Sequence, residues 1–338
     1  MPWCAANPRV SGARGLSTRT DACGPESRNY ESMKISATII CKNEADHILD
    51  CIQSLCDVDE IIVCDTGSTD NTLLLVNSLN DERIRLAYYE WGDHFANARN
   101  AALDLATGDW CIVIDADEML ITGTIPALKK AVRENPTAQT FRFKCVAKNC
   151  PSNVHEMVRA HRRSPDIYWT GRVHEALNRD DHVLANGTTL VYGYSTAHAK
   201  DPDRALRLLQ IDYDEQLATP SGPTSRTLYY LAREWYYRKE WAKAAELFEA
   251  RAHSIGYRAE CGDALLYLAR CYWQMRQGDK AREAAVRSLL MVPDCRETYE
   301  FLAEMSFPEQ ATVWNRIALA ATNTGVLFVR SPSPSHEL

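Results

Sequence analysis

A short apolar segment that ends abruptly in acids constrains the fold of this chain more than any other feature. Residues 110–114 (Trp-Cys-Ile-Val-Ile) are followed at once by Asp115, Asp117 and Glu118. A segment that is apolar on both faces is typical of a buried strand in a parallel sheet. In open α/β sheets, ligands bind beyond the carboxyl ends of the strands, so these acids are predicted to stand at a binding site.

Asp115 and Asp117 form an Asp-x-Asp pair with the spacing of a metal site. Residues two apart in an extended segment project to the same side, so the two carboxylates can offer oxygens to one point. A hard divalent cation such as Mg²⁺ binds in this way and usually shares its ligand shell with substrate phosphates. The alternative is that the acids only end a strand as solvated turn residues.

Strands and helices alternate at short intervals upstream of these acids, which favours a site over a simple turn. Strands are predicted at residues 35–41, 60–64, 84–89 and 110–114, and helices near 44–55 and 93–106. Further strands are predicted at 140–146, 158–161 and 188–191. This order predicts an α/β fold with a mostly parallel sheet covered on both faces. One crevice at the carboxyl ends of the strands should collect the polar residues.

Four polar motifs lie at or near those ends. They read Lys42-Asn43-Glu44, Asp65-Thr66-Gly67-Ser68-Thr69-Asp70, Phe95-Ala96-Asn97-Ala98-Arg99-Asn100 and Asp115-Ala116-Asp117-Glu118. Gly67 permits a tight turn, and Ser68 or Thr69 can cap the helix that follows. The phosphate loop Gly-x-x-x-x-Gly-Lys-Ser/Thr and the dinucleotide turn Gly-x-Gly-x-x-Gly after the first strand are both missing, which argues against the usual ATPase and dinucleotide sites.

In order and spacing, the four motifs resemble those of family 2 glycosyltransferases with the GT-A (Rossmann-like) fold, over roughly residues 34–200. The resemblance implies a metal-dependent, inverting transfer of a sugar from a nucleotide diphosphate sugar, with UDP favoured. It implies that Asp115 and Asp117 hold Mn²⁺ or Mg²⁺ against the diphosphate. The implied nucleotide-sugar site comprises Asn43, Glu44, Asp65, Ser68, Asp70, Arg99, Asn100 and Asp115. Within it, Glu44 and Asp65 would contact the base and ribose, and Arg99 and Asn100 would lie near the donor sugar or diphosphate.

The acceptor side of the site is expected at residues 168–175, Tyr-Trp-Thr-Gly-Arg-Val-His-Glu. In the resembled family, a similar segment with an aromatic residue, a glycine and Val-His-Glu lies against the acceptor. Glu175 is therefore the candidate general base, which an acceptor hydroxyl or thiol needs within hydrogen-bonding reach. His174 is the neighbour that would orient Glu175 or touch the metal. A structural His-Glu pair is the alternative, with Asp166 and Glu156 as reserve candidates for the base.

His198 is a candidate third metal ligand. Relatives in the resembled family often carry a His just before a Tyr-Gly-Tyr run, and Val191 takes that position here, before residues 192–194. His198 follows shortly afterwards, and imidazole is an acceptable ligand for Mn²⁺. A surface histidine near a helix N-terminus is the alternative.

From residue 226 onward the pattern becomes helical, with an internal offset of 37 residues. The recurring positions are Leu228, Leu231, Ala232 and Ala244, matched by Leu265, Leu268, Ala269 and Ala281. This pattern resembles tetratricopeptide repeats. Such helical pairs often present a concave surface to a peptide or another macromolecular acceptor, while packing or homodimerisation is the alternative.

Composition limits the class of protein. A net charge of −7 argues against a broad non-specific nucleic-acid surface, although a local basic patch at residues 159–163 is compatible with it. Twelve cysteines without a Cys-x-x-Cys motif indicate buried thiols in a reducing compartment. No membrane-spanning stretch or signal peptide is recognisable, so the protein is predicted to be soluble and cytoplasmic, with no membrane partner.

The predicted organisation has five parts: a disordered tail (1–32), a GT-A domain (33–200), a linking helix and loop (201–225), a tetratricopeptide-like domain (226–325) and a loose C-terminus (326–338). Two other functions stay open at this point. One is a nucleotidyltransferase, which usually carries a Gly-rich basic loop after its first strand. The other is a non-catalytic tetratricopeptide scaffold with a degenerate nucleotide-sugar domain.

Overall fold

The computed structural model describes residues 32–193, 201–254 and 256–321. The strands are β1 (Ile35–Cys41), β2 (Glu60–Asp65), β3 (Ile84–Tyr88), β4 (Trp110–Asp115), β5 (Glu118–Leu120), β6 (Thr140–Ala147), β7 (Cys150–Arg162), β8 (Trp169–Thr170), β9 (Ala176–Leu177) and β10 (His182–Tyr192). The helices are α1 (Ile48–Ser54), α2 (Thr72–Ser78), α3 (Phe95–Asp104), α4 (Thr124–Glu134), α5 (Arg204–Leu217), α6 (Ser225–Tyr237), α7 (Trp241–His253), α8 (Arg258–Gln274), α9 (Gly278–Met291), α10 (Arg296–Glu304) and α11 (Pro308–Ala320).

One eight-stranded sheet runs in the order β3-β2-β1-β4-β7-β6-β10-β5. β1 pairs in parallel with β2 and β4, β2 with β3, and β6 with β10. β7 is antiparallel to β4 and β6, and β5 is antiparallel to β10. The predicted α/β class with a mostly parallel sheet is confirmed, and the first four strands take the predicted order along the chain.

The centre of the sheet explains where a site can form. After β1 the chain adds β2 and β3 on one side and then β4 on the other, so the strand order reverses at β1. Ligands of open α/β sheets bind in the crevice at such a reversal. The strands themselves are held by complete burial, since Ile39, Ile61 and Ile114 are each 0% exposed. The three loops that follow β1, β2 and β4 therefore meet on a rigid base.

Two strands are longer than the sequence pattern predicts. β7 begins at Cys150 rather than at residue 158, and β10 begins at His182 rather than at residue 188. β6 and β7 form a hairpin. Buried and more exposed residues alternate along β6, whereas the described side chains in the first half of β7, Val154 and Met157 among them, are exposed or half-buried. An antiparallel hairpin with one solvated face lacks the continuous apolar run that marks β1 and β4, and this explains the shorter prediction.

The helices after β10 repeat as predicted. Successive helices from α6 to α11 pack against one another as three consecutive pairs. Leu228, Leu265 and Leu302 occupy corresponding positions in the first helix of each pair, and each is less than a tenth exposed. Residues 33–338 cluster as one compact unit, so the division between a domain at 33–200 and another at 226–325 remains a prediction.

The cysteines and the helices bear on the two sequence features used to predict the cellular compartment. The ten cysteines in the described ranges are free thiols, and most of them are buried. In those same ranges, no helix combines the length and the apolar character that crossing a membrane requires.

Candidate functional site

The first side of the crevice consists of the loops after β1 and β2, which are tied to each other by hydrogen bonds. Asn43 has a φ of 58°, a left-handed conformation that Asn tolerates better than most residues. Its Oδ1 accepts hydrogen bonds from the backbone N of Thr69 at 2.7 Å and of Asp70 at 3.3 Å. Its own backbone N donates to Ser68 Oγ at 3.0 Å. Asn43 therefore joins the two loops.

Asp65 stands at the end of β2 and is 2% exposed. It accepts hydrogen bonds from the backbone N of Gly67 at 3.0 Å and from Ser68 Oγ at 2.5 Å. Gly67 has a φ of 106°, which a residue with a side chain would adopt only with strain. The carboxylate thus fixes a tight turn at the carboxyl end of β2.

Asp70 repeats this arrangement at the start of α2. Its Oδ1 accepts from the backbone N of Thr72 at 2.9 Å, and its Oδ2 from the backbone N of Ala45 at 3.2 Å. Burial opposes ionisation of Asp70, but the hydrogen bonds from Thr72 and Ala45 outweigh burial and lower its pKa. Glu44 is fixed through its backbone N, which donates to Thr72 Oγ1 at 2.8 Å. We call the following residues the turn network: Asn43, Asp65, Ser68 and Asp70.

The second side of the crevice contains a chain of alternating charges centred on Arg99 of α3. Arg99 Nε donates to Glu175 Oε1 at 2.5 Å, and Arg99 Nη2 donates to Asp115 Oδ1 at 2.7 Å. The side chains of Arg99 and Glu175 are only 10% and 12% exposed. The guanidinium also lies over the ring of Trp169, 5.4 Å from its centre. A single side chain thus joins the candidate base to the first acid of the Asp-x-Asp pair.

Arg159 of β7 continues the chain of charges on the far side of Asp115. Its Nη1 lies 3.5 Å from Asp115 Oδ2, and its Nη2 lies 2.5 Å from Glu118 Oε1. Glu118 Oε2 accepts a hydrogen bond from the backbone N of Asp115 at 2.9 Å. Both Arg159 and Glu118 are buried. We call the following residues the arginine network: Glu175, Arg99, Asp115, Arg159 and Glu118.

The roles of Arg159 and Glu118 do not follow from the sequence pattern. The basic run at residues 159–163 predicts a local surface patch, whereas the side chain of Arg159 is buried between two acids. The excess of acids after β4 does indicate in the sequence that cationic partners are needed, because three carboxylates at one buried strand end require them. Which arginine supplies the charge depends on the pairing of β7 beside β4.

The arginines determine the charge of Asp115. Burial alone raises the pKa of its carboxyl, but the charges of Arg99 and Arg159 outweigh burial and hold that pKa well below its usual range. For Glu118, burial raises the pKa, with the attraction of Arg159 acting against it. Asp115 is therefore an anion near neutral pH, with its side chain still 37% exposed towards the crevice.

The donor set at the strand end fits a metal ion only if substrate completes the ligand shell. Within residues 32–193, 201–254 and 256–321, three His, Cys, Asp or Glu side chains never converge in a way that could hold a metal. Asp115 and the half-buried Asp117 supply two carboxylates. Such a pair suits Mg²⁺ or Mn²⁺ bound mainly by diphosphate and water. His198 lies at 194–200, outside the described residues.

Asn100 is placed differently from what the motif implies. Its Oδ1 accepts from the backbone N of Trp169 at 2.8 Å, and its Nδ2 donates to the backbone O of Trp169 at 2.9 Å. Both ends of the amide are therefore used to hold β8. Because the Trp169 ring lies against Arg99, the contact of Asn100 with β8 helps to position the arginine network.

His174 lies between β8 and β9 and faces the helical region. It has a φ of 51°, and its ring stacks on Tyr230 of α6 with 4.1 Å between ring centres. Although His174 as a whole is exposed, desolvation of its ring against α6 and, secondarily, the charges of Arg233 and Arg226 lower its pKa. The ring is neutral near pH 7 and contacts α6 beside Glu175.

The two reserve candidates for the base contact other partners. Glu156 pairs with Arg142 across the β6–β7 hairpin at 2.7 Å, and both side chains are 39% exposed. Asp166 is exposed in the turn before β8, where its backbone N donates to Ser164 Oγ at 3.3 Å. In the described structure, the ion pairs of Arg99 include neither of them.

Comparison with known proteins finds matches to parts of this chain. Residues 36–178 match the family model described as Glycosyl transferase family 2. Over 156 residues the chain is 36% identical to a TPR repeat-containing protein of Synechococcus elongatus, a match that covers 45% of this chain and 37% of that protein. Over 90 residues it is 42% identical to the lipopolysaccharide core biosynthesis glycosyltransferase LpsC of Rhizobium meliloti, covering 26% of this chain and 33% of that protein.

A solved structure, S. aureus TarS 1-349 in complex with UDP-GlcNAc, aligns with a TM-score of 0.49 at 15% identity and covers 76% of this chain and 91% of that one. The chain thus spans about a third of the length of each of the two curated relatives. The family match covers β1 to β9, and therefore both the turn network and the arginine network. Residues 36–178 are thus similar to glycosyl transferase family 2, and tetratricopeptide-like helices follow that region.

Proposed function

We propose that this protein is a metal-dependent, inverting glycosyltransferase that moves a sugar from a nucleotide diphosphate sugar, with UDP as the expected nucleotide, to an acceptor hydroxyl or thiol. The observation that carries the proposal is the double contact of Arg99 with Glu175 at 2.5 Å and Asp115 at 2.7 Å. It brings an acceptor-side carboxylate and a donor-side carboxylate to one guanidinium, in the crevice where the strand order reverses. The family match over residues 36–178 supports this assignment.

The turn network prepares the donor side. Hydrogen bonds between the loops after β1 and β2 fix the backbone at Glu44 and the carboxylate of Asp65 before any donor binds. We assign these two residues to the nucleotide base and ribose. A site that is ordered in advance loses less conformational freedom on binding, which raises the affinity for the donor.

Asp115 and Asp117 are the residues that would hold Mn²⁺ or Mg²⁺ beside the diphosphate. When bound, such an ion neutralises negative charge that develops on the leaving diphosphate. Arg99 and Arg159 lie against Asp115 and bring two further positive charges to the same place. Fixed positive charge aimed at a leaving anion stabilises the transition state.

Glu175 completes the reaction on the acceptor side. Arg99 holds its Oε1, and within the described residues no hydrogen bond engages Oε2, which is left to accept the proton of the acceptor. The acceptor lone pair forms a bond to the anomeric carbon while the bond from that carbon to the diphosphate oxygen breaks. The electron pair leaves with the diphosphate. Attack from the opposite face inverts the anomeric configuration.

A panel of nucleotide diphosphate sugars with Mn²⁺, followed by nucleotide release, tests the proposal. We expect release of nucleotide from a UDP-sugar, loss of that release with EDTA, and recovery on adding Mn²⁺ or Mg²⁺.

Substitution of Asp117 tests the metal site itself. Asp117→Ala should abolish the effect of metal on nucleotide binding, whereas Asp104→Ala, which removes an exposed acid at the end of α3, should retain that effect. Full turnover of Asp117→Ala without metal would contradict the metal assignment, and pyrophosphate release instead of nucleotide release would indicate a nucleotidyltransferase.

A further inference from the structure

A line of arginine and tyrosine side chains runs along α6, next to the loop that carries Glu175. The guanidinium carbon of Arg226 lies 5.0 Å from the ring centre of Tyr230. The guanidinium carbon of Arg233 lies 5.7 Å from the same ring and 5.6 Å from the ring of Tyr237. Arg233 Nη2 also donates to Tyr237 Oη at 2.8 Å. The four side chains form one continuous set of contacts.

The contacts continue onto α8 in the next helical pair. Tyr237 Oη lies 3.4 Å from Tyr267 Oη. The guanidinium carbon of Arg270 lies 5.7 Å from the ring centre of Tyr267 and 5.8 Å from that of Phe301 on α10. We call the following residues the arginine–tyrosine track: Arg226, Tyr230, Arg233, Tyr237, Tyr267 and Arg270.

The helical repeat accounts for this track. Tyr267 and Arg270 follow Tyr230 and Arg233 at the 37-residue offset of the repeat. Within α6, the track residues fall at spacings of four and three, which places them on one face of the helix. Repeated helices that stack side by side present equivalent faces to the same side. Tyr230 and Tyr267 are buried, at 7% and 3% exposed, so the track meets solvent across two helical pairs through its half-buried arginines and the exposed Tyr237.

One end of the track lies beside the candidate base. His174 stacks on Tyr230 with 4.1 Å between ring centres and 17° between ring planes. The backbone O of His174 also accepts a hydrogen bond from Arg226 Nε at 2.8 Å. Since His174 immediately precedes Glu175, a molecule bound along the track would extend to the acceptor side of the crevice.

The charge of the track is opposite to that of the whole protein. The chain has a net charge of −7, yet three arginines line this surface. Across the described ranges, no carboxylate forms a salt bridge with Arg226 or Arg270, whose partners are aromatic rings and a backbone carbonyl. Tyr237, in the middle of the track, is 44% exposed. An anionic partner suits such a surface.

We propose that the arginine–tyrosine track binds an acidic peptide segment of the acceptor and directs the acceptor side chain to Glu175, an inference that rests on the proposed function. Arginine binds carboxylates through charge-assisted hydrogen bonds, and arginine clusters recognise acidic motifs in this way. Arg226 and Arg233 are two helical turns apart, about 10 Å. That distance corresponds to about three residues of extended peptide. Tyr237, the exposed ring of the track, provides an apolar contact for the peptide between its acidic residues.

Fluorescence anisotropy of the full chain with a labelled oligoglutamate peptide tests the proposal. We expect binding at low ionic strength that weakens as salt is added. Arg226→Gln and Arg270→Gln should each weaken binding about threefold, and the double variant about tenfold. Arg316→Gln is the matched control, because it removes the same charge from an exposed position on α11. Arg270→Lys keeps the charge and should retain most of the affinity.

The outcomes separate this proposal from the function on which it rests. A protein that releases nucleotide from a UDP-sugar but does not bind oligoglutamate overturns the acidic-peptide proposal alone. Binding that the arginine substitutions leave unchanged, or that Arg316→Gln reduces equally, also overturns it. If inorganic polyphosphate binds more tightly than oligoglutamate and its binding depends on the same arginines, the partner is a phosphate polymer and the acidic-peptide proposal is wrong. Thermal unfolding of each variant checks that it is folded. Arg226 has its ring contact with Tyr230 of α6 and its hydrogen bond with His174, so it can be substituted independently of Arg270.

Discussion

The two sides of the crevice use acidic side chains in different ways. In the turn network, Asp65 and Asp70 accept hydrogen bonds from backbone N–H groups and hydroxyls of nearby turns. In the arginine network, Asp115, Glu118 and Glu175 accept from guanidinium groups. The first side holds loops in place with neutral donors, whereas the second balances full charges in a buried position.

This difference decides what each side can do. Removing a neutral hydrogen-bond partner costs about 1 kcal/mol of stability, whereas removing one partner of a buried ion pair costs about 3–5 kcal/mol. Charge also moves during glycosyl transfer, from the acceptor proton to the departing diphosphate. The arginine network is the part of the crevice where such a movement changes existing interactions. Substitutions on that side should therefore have the larger effects.

The largest expected effect follows from Glu175→Gln. The amide keeps the shape of the carboxylate and can still accept from Arg99, but it cannot take the proton of an acceptor. Turnover on a hydroxyl acceptor should fall about 10³-fold, while the dissociation constant for the nucleotide sugar changes little. Steady-state nucleotide release and calorimetric titration of the donor measure the two quantities. With a thiol acceptor, which is partly ionised near neutral pH, the loss should be smaller.

Glu134→Gln provides the control for that substitution, because Glu134 is an exposed acid of α4 whose ion pair is with Lys130. Unchanged turnover of Glu175→Gln on a hydroxyl acceptor would transfer the role of base to Asp166 or Glu156. A product with retained anomeric configuration would exclude single displacement altogether.

Arg99→Met should produce the second-largest effect, this time on stability. The substitution leaves Glu175, 12% exposed, without its cation and removes one of the two arginines beside Asp115. We expect a loss of about 3 kcal/mol in the free energy of unfolding. The comparison is Arg142→Met, whose partner Glu156 is 39% exposed and whose loss should be under about 1 kcal/mol. Urea unfolding at neutral pH measures both, and equal losses would mean that burial does not strengthen the Arg99 contacts.

The sequence predicts the first half of the sheet well because burial there is continuous. β1, β2 and β4 coincide with apolar runs to within a residue, and each run ends at a polar motif. β7 is less predictable, because the described side chains in its first half are exposed or half-buried in a solvated antiparallel hairpin. Its length depends on pairing with β6, which is a tertiary contact and leaves no continuous apolar signal.

The residues of the candidate site also differ in how well the sequence predicts their contacts. Asp65 and Asp70 are predictable because their turns are closed by contacts with Gly67, Ser68 and Thr72, although Asp70 also accepts from the distant Ala45. Arg159 reaches Glu118 across 41 positions of sequence, and Arg99 reaches Glu175 across 76. Neither contact follows from spacing alone. Asn100 shows the opposite case, since the motif identifies the residue but only the position of β8 reveals that Trp169 engages both ends of its amide.

The smallest expected effect is on the turn network and depends on pH. Asp70→Ala removes the acceptor of the Thr72 and Ala45 hydrogen bonds, which should cost about 1 kcal/mol at pH 7. Those hydrogen bonds lower the pKa of Asp70 in the folded state. The contribution of Asp70 to the free energy of unfolding is therefore fully present above the pKa of the carboxyl in the unfolded chain, about 3.9. The contribution is lost as pH falls through the lower folded-state pKa. Urea unfolding of the wild type and the variant from pH 7 to pH 3 should therefore show a difference that narrows only at the acid end. Asp104→Ala should show no such trend, and a difference for Asp70→Ala that stayed constant down to the lowest pH would mean that the ionised carboxylate is not what stabilises the turn.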